Sequence, residues 1–80
     1  IPSAFAKMAE IRFLQQNYLG SRAYVERYIS VVYPDARTLM LGYEVERALN
    51  DEVVASQYRE QLLQAYPESS EAARLRVLPR

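Results

Sequence analysis

The chain has 80 residues, half of them apolar and a quarter charged, with ten basic side chains balancing ten acidic ones. This is ordinary globular composition, sufficient for one small domain that buries only about 60% of the surface its unfolded chain exposes. It excludes a disordered segment, offers no run of the roughly 18 apolar residues that a membrane-spanning helix needs, and gathers neither charge into the block that tracks phosphates, so neither direct membrane insertion nor nucleic-acid binding is expected.

Pro2-Ser3 is a helix start signal. The stretch Ala4 to Gln16 lacks Gly and Pro and sets Ala4, Met8 and Ile11 on one face, which predicts a first helix. Asn17-Tyr18-Leu19-Gly20 carries turn chemistry, with Ser21 near the next N-terminus. A second helix then runs to about Val32, with Val25, Tyr28, Ile29 and Val32 at helical spacing. Tyr28 to Tyr33 is also rich in β-branched and aromatic residues that suit a short strand. Length favours the helix, as does a later copy of this stretch, Leu62-Leu63-Gln64-Ala65-Tyr66, which is a good helix former.

Pro34 stops that helix by disfavouring helical geometry in the residue before it, and Asp35 caps a third helix from about Ala36 to Leu49. Leu41, Val45, Ala48 and Leu49 form its stripe. Gly42 inside it costs about 1 kcal/mol relative to Ala, which predicts a neighbouring helix in close approach. Asn50-Asp51 ends the third helix and opens a fourth, about Glu52 to Ala65, with Ala55, Tyr58, Leu62 and Ala65 inward and Pro67 closing it. Ser69-Ser70-Glu71 reads as a capped start. It predicts a fifth helix from about Ser70 to Val77, with Ala72, Leu75 and Leu78 covering the open end of the preceding pair, and Pro79-Arg80 as tail.

The two halves read as copies at a spacing of 34 residues, pairing Ile11 with Val45, Asn17 with Asp51, Ser21 with Ala55, Tyr24 with Tyr58 and Tyr28 with Leu62. That is the tetratricopeptide length, a helix–turn–helix unit that buries its apolar face against its neighbours. The expected architecture is all-α: a right-handed tetratricopeptide superhelix, residues 1–80 forming a single domain fragment. Repeat 1 covers about 3–34, repeat 2 about 35–67, and a C-terminal capping helix about 70–78. A chain that opens on Ile1-Pro2 reads as a piece of something longer.

Neither His nor Cys occurs, which removes the commonest general base, the commonest metal ligand and the thiolate nucleophile. Asp35 and Asp51 are explained by capping, Glu44 and Glu46 fall on different helix faces, and Gly20 and Gly42 make no phosphate loop. No catalytic residue, cofactor or metal site is expected, and the chain reads as a binding module and not an enzyme.

Tyr24, Tyr28 and Tyr58 recur with the repeat and read as packing. Tyr43 is different, since its repeat mate is Ala9, and core packing and partner contact are weighed equally there. Arg12, Arg37 and Arg47 lie on the first helices of the repeats, whose outward faces line the groove of such arrays. Solvated local pairs, such as Arg47 with Glu44 or Asp51, are the simpler account of any single one. The candidate partner contacts are Arg12, Phe13, Tyr43 and Arg47. Lys7 is the only Lys, so the Lys-Asn-Arg clamp by which some tetratricopeptide domains hold a C-terminal carboxylate is absent.

The run Thr38-Leu39-Met40-Leu41-Gly42-Tyr43-Glu44-Val45-Glu46-Arg47-Ala48-Leu49-Asn50-Asp51, then Ala55-Ser56-Gln57-Tyr58, Gln61-Leu62 and Tyr66-Pro67-Glu68-Ser69-Ser70-Glu71-Ala72, resembles the C-terminal repeats of the PilF/PilW family of type IV pilus biogenesis lipoproteins, or pilotins. Asn17-Tyr18-Leu19-Gly20-Ser21-Arg22 and Glu26-Arg27-Tyr28 are similar to that family's first turn and following helix, and the Gly42-to-Asn50 stretch shares its one-residue lengthening. Asn50 departs from the family's turn Gly, a mild change because Asn tolerates a left-handed backbone. The resemblance implies a non-catalytic interaction module of an outer-membrane lipoprotein facing the periplasm. Its partner would be the pilus secretin or another pilus assembly component, and the lipidated Cys lies outside this chain. A scaffold or adaptor of another envelope or cytosolic complex, an accessory domain of an enzyme, and self-association through an open helix face stand as alternatives.

Overall fold

The computed structural model describes residues 1–79; of the expected tail, Arg80 lies outside the described residues. Five helices follow one another: α1 Pro2–Leu14, α2 Tyr18–Val31, α3 Ala36–Ala48, α4 Glu52–Ala65 and α5 Ser70–Val77. No strand occurs among the described residues. Helix α1 packs on α2 and α3 on α4; α2 joins the two pairs through α3, and α5 lies against both α3 and α4.

The same joint closes both pairs. At the end of α1, Gln16 takes a left-handed φ of 61°, its N–H donates to the Phe13 carbonyl and the Asn17 N–H to that of Arg12. At the end of α3, Asn50 has φ 63°, donating to Arg47, while Asp51 donates to Glu46. This crossed pattern satisfies carbonyls that a helix end otherwise leaves without partners. The closing residue of each joint also opens the next helix. Asn17 Oδ1 accepts from the Gly20 N–H at 2.9 Å, and Asp51 Oδ1 accepts from the Val54 N–H at 3.2 Å, caps worth about 1 kcal/mol each.

This geometry shifts the first turn relative to the sequence expectation. The turn is Gln15 to Asn17, and Tyr18, Leu19 and Gly20 already belong to α2. Helix α1 likewise starts at Pro2, where the ring's fixed φ suits the first helical position, and stops at Leu14 instead of Gln16. The strand alternative fails because α2 continues to Val31; Val32, before the Tyr33-Pro34 pair, ends the helix in an extended conformation. The third, fourth and fifth helices fall within a residue of expectation.

The core is made by α3, α4 and α5, where Leu39, Met40, Tyr43, Ala55, Leu62, Ala72 and Leu75 are buried together with Tyr58, Leu63 and Tyr66 packed around them. Helix α3 is covered from several sides, so its burial is broader than a stripe. Thr38, Leu39, Met40, Tyr43 and Glu46 are buried beside the expected Val45, whereas Leu41 and Leu49 are half-buried and Ala48 is exposed. In α4, Ala55 and Leu62 are buried as expected, Tyr58 is half-buried and Ala65 exposed. Helix α1 is covered on one side. Its buried residue is Ala9, where Ser21 Oγ donates to the Ala9 carbonyl at 2.7 Å, while Ala4 and Ile11 of the expected face are exposed and Met8 half-buried. Ala72 and Leu75 of α5 are buried against α3 and α4; Leu78 lies past the helix and remains 39% exposed.

Candidate protein-binding face

Helices α1, α3 and α5 expose a common face whose middle is crossed by ion pairs. Arg37 Nε of α3 meets Glu10 Oε2 of α1 at 2.6 Å, and Arg74 Nη2 of α5 meets Glu44 Oε2 of α3 at 3.4 Å. Both arginines are largely exposed, so each pair adds at most about 1 kcal/mol, and the face between them is self-neutralised.

One end of the face is different in chemistry. Phe13, Tyr43, Glu44, Arg47, Leu78 and Pro79 line an open cleft of about 310 Å³. Tyr43 is 5% exposed, so its ring belongs to the core while contributing to the cleft lining. Arg47 is fixed above it. Its guanidinium carbon stands 5.8 Å from the ring centroid, Nη1 donates to Tyr43 Oη at 3.0 Å, and Nε meets Glu52 Oε1 at 3.4 Å. A cation over an aromatic face gains about 0.5–1 kcal/mol at a partly exposed site. Phe13 is held edge-on by Tyr18, with ring centroids 5.4 Å apart.

The structure therefore brings Phe13, Tyr43 and Arg47 to one place and sets Arg12 apart, its Nη1 donating to Gln15 Oε1 at 2.9 Å. The ion partner of Arg47 is Glu52, in place of the Glu44 or Asp51 anticipated from helical spacing, because Glu44 turns toward Arg74 and Asp51 caps α4. Leu78 and Pro79, expected as cover and tail, line the cleft instead. Their signal in the sequence is slight, a Leu-Pro pair just after a helix end.

A second constellation joins α2 to α3. Glu46 is only 3% exposed and takes a bidentate pair from Arg22 of α2, Nε to Oε2 at 3.0 Å and Nη2 to Oε1 at 2.6 Å. The hydrogen bond to Glu46 holds the Arg22 pKa above its ordinary value despite partial burial. Close by, burial pushes up the pKa of Tyr58, with the charges of Glu46 and Glu26 adding to it. Helical spacing placed Glu46 away from Glu44 but could not show that α2 covers it. Among the described residues no group of three His, Cys, Asp or Glu side chains is placed to hold a metal ion, and no helix is long and apolar enough to cross a membrane.

No family model matches the chain. It is 30% identical over 70 residues to the type IV pilus assembly protein PilF of Pseudomonas aeruginosa, a match that covers 88% of this chain and 28% of PilF. Its fold superposes on the crystal structure of PilW, described as a widely conserved type IV pilus biogenesis factor, with a TM-score of 0.89 and 28% identity over 96% of this chain and 36% of PilW. The chain thus spans about a third of the length of these relatives.

Proposed function

Starting from a chain that is a PilF/PilW-type tetratricopeptide repeat segment, we propose that it is a non-catalytic protein-interaction module of type IV pilus biogenesis. The observation that carries this reading is the run of similarity to PilF through 88% of the chain. The open cleft gives it a place to act. In this reading residues 1–80 form one domain, with repeats at about 3–34 and 35–67 and a capping helix at about 70–78. The whole protein is a pilotin, lipid-anchored on the periplasmic face of the outer membrane, and it helps the pilus secretin reach that membrane and assemble there. Phe13, Tyr43 and Arg47 contact the partner, with Arg12 at the margin.

The test is co-purification from envelope extract by the full-length protein, by a version lacking these repeats, and by an Arg47→Ala version. Capture of secretin or another pilus component by the first is expected, with loss on deletion and a roughly ten-fold weakening by Arg47→Ala, as for a partly desolvated interface arginine. Equal capture by all three would remove this segment from partner binding.

A further inference from the structure

The 34-residue register sets a charged side chain in the second helix pair where the first has an apolar one. Shifting α2 onto α4 places Val25 on Arg59 and Arg22 on Ser56. Val25 is 1% exposed in the core, and at the equivalent place the Arg59 side chain keeps only 15% of its surface in water. The cation has thus moved one turn along the same helix face, since residues three apart are neighbours there.

Arg22 shows how this fold serves an arginine: Nε and Nη2 donate in parallel to the Glu46 carboxylate at 3.0 and 2.6 Å. For Arg59 the one carboxylate within reach among the described residues belongs to its own neighbour, Nη1 lying 3.9 Å from Glu60 Oε1, too far for a hydrogen bond. Glu60 is 70% exposed, so this pair adds little. Arg59 lines a small cavity of about 30 Å³ between α3 and α4 together with Tyr43, Arg47, Glu52, Ser56 and Glu60. Across it, Arg47 is already served by Glu52 and by the Tyr43 hydroxyl. The donor left over is the Arg59 fork, which matches the two oxygens of a carboxylate. The volume has room for about two waters, enough for a carboxylate on a slender stem and too little for a stretch of main chain.

Resting on the reading that this segment holds a protein partner, we propose that the cavity is a seat for one acidic side chain of that partner. Its carboxylate accepts two parallel bonds from Arg59 and a third from the Ser56 hydroxyl, displacing the weak Glu60 contact. The incoming chain does for Arg59 what Glu46 does for Arg22.

The test follows the Arg59 Nε–H signal by NMR in the chain as it stands. The probes are N-acetylglutamate α-amide, whose acid is the side chain, its glutamine counterpart, N-acetylalanine, whose acid is at the chain end, and inorganic phosphate. Exposed Arg27, stacked over Tyr24, is the reference. The side-chain acid should give a saturable shift about ten-fold tighter at Arg59 than at Arg27, weakened about three-fold by Ser56→Ala, and the glutamine compound should give none. Arg59→Met, which keeps the stem and removes an unserved cation, should melt no lower than the parent. Equal response at Arg59 and Arg27, tighter binding of N-acetylalanine or phosphate, or a lower melting temperature for Arg59→Met would each overturn the proposal. In the envelope co-purification, Arg59→Met and Arg59→Lys should each lower capture about ten-fold, because an ammonium cannot make the parallel pair. Capture indifferent to both rejects the seat alone, and no capture by any version alongside normal binding at Arg59 rejects the pilus role alone.

Discussion

At Gly42 a single hydrogen atom sets the distance between α3 and α4. A Cβ there would stand 2.8 Å from the ring of Tyr58, so the glycine is kept by contact and not by backbone conformation. Gly42→Ala gains about 1 kcal/mol of helix propensity but overpacks the ring at about 1–3 kcal/mol, and the clash should win by about 1 kcal/mol in urea unfolding. In a Tyr58→Ala background the obstacle is gone, and the same substitution should become stabilising. A loss in both backgrounds would disprove the ring as the cause. Tyr58 also sets an alkaline limit. Because burial favours its neutral form in the folded state, its contribution is present below the ordinary tyrosine pKa of about 10 and is lost as pH rises through the raised value. Tyr58→Phe should match the parent near pH 7 and unfold at a higher temperature than it near pH 11; melting curves that run parallel throughout would exclude this residue.

At the scale of the helix, the joints at Gln16 and Asn50 share one geometry with unequal residues. Asn is tolerated in a left-handed conformation, whereas Gln at φ 61° holds a strain of about 1 kcal/mol. Gln16→Gly should therefore stabilise by close to 1 kcal/mol, visible as a melting temperature several degrees higher for a domain of this size, and Asn50→Gly should gain less. If Gln16→Gly lowers the melting temperature, unfolded-state entropy outweighs the relieved strain. The 34-residue copy places both joints in equivalent positions, Gln16 one repeat before Asn50.

Across the whole molecule, the two helix pairs meet chiefly through α2 and α3, and the Arg22–Glu46 pair lies in that junction. Arg22→Ala strands a carboxylate that is 3% exposed, a change that costs about 3–5 kcal/mol in a fully buried site. Arg22 itself keeps 31% of its side chain in water, so about 2–3 kcal/mol is expected in denaturant unfolding. For an 80-residue chain with a total stability of about 4–12 kcal/mol, that is a large share. Replacing both partners by Leu should recover most of it, because the stranded charge and not the missing attraction dominates. A double variant as unstable as the single one would mean that the pair holds the junction by geometry.

Local chemistry in the sequence determined the five helices, the caps of the last three at Asp35, Asp51 and Ser69, and the closeness at Gly42. Proline, aspartate and glycine act within a few residues of themselves, and the 34-residue period repeats their effect. It also determined that Phe13 and Arg47, which occupy equivalent places in successive repeats, share a face. Only the tertiary structure decided which side of each helix is covered. Helix α3 is enclosed from several directions and α1 from one, so an apolar stripe read from spacing was too narrow for the first and too generous for the second. The same reason hid Glu46, whose burial depends on α2 crossing it, and Leu78-Pro79, whose place against Arg47 depends on where α5 sets the chain down.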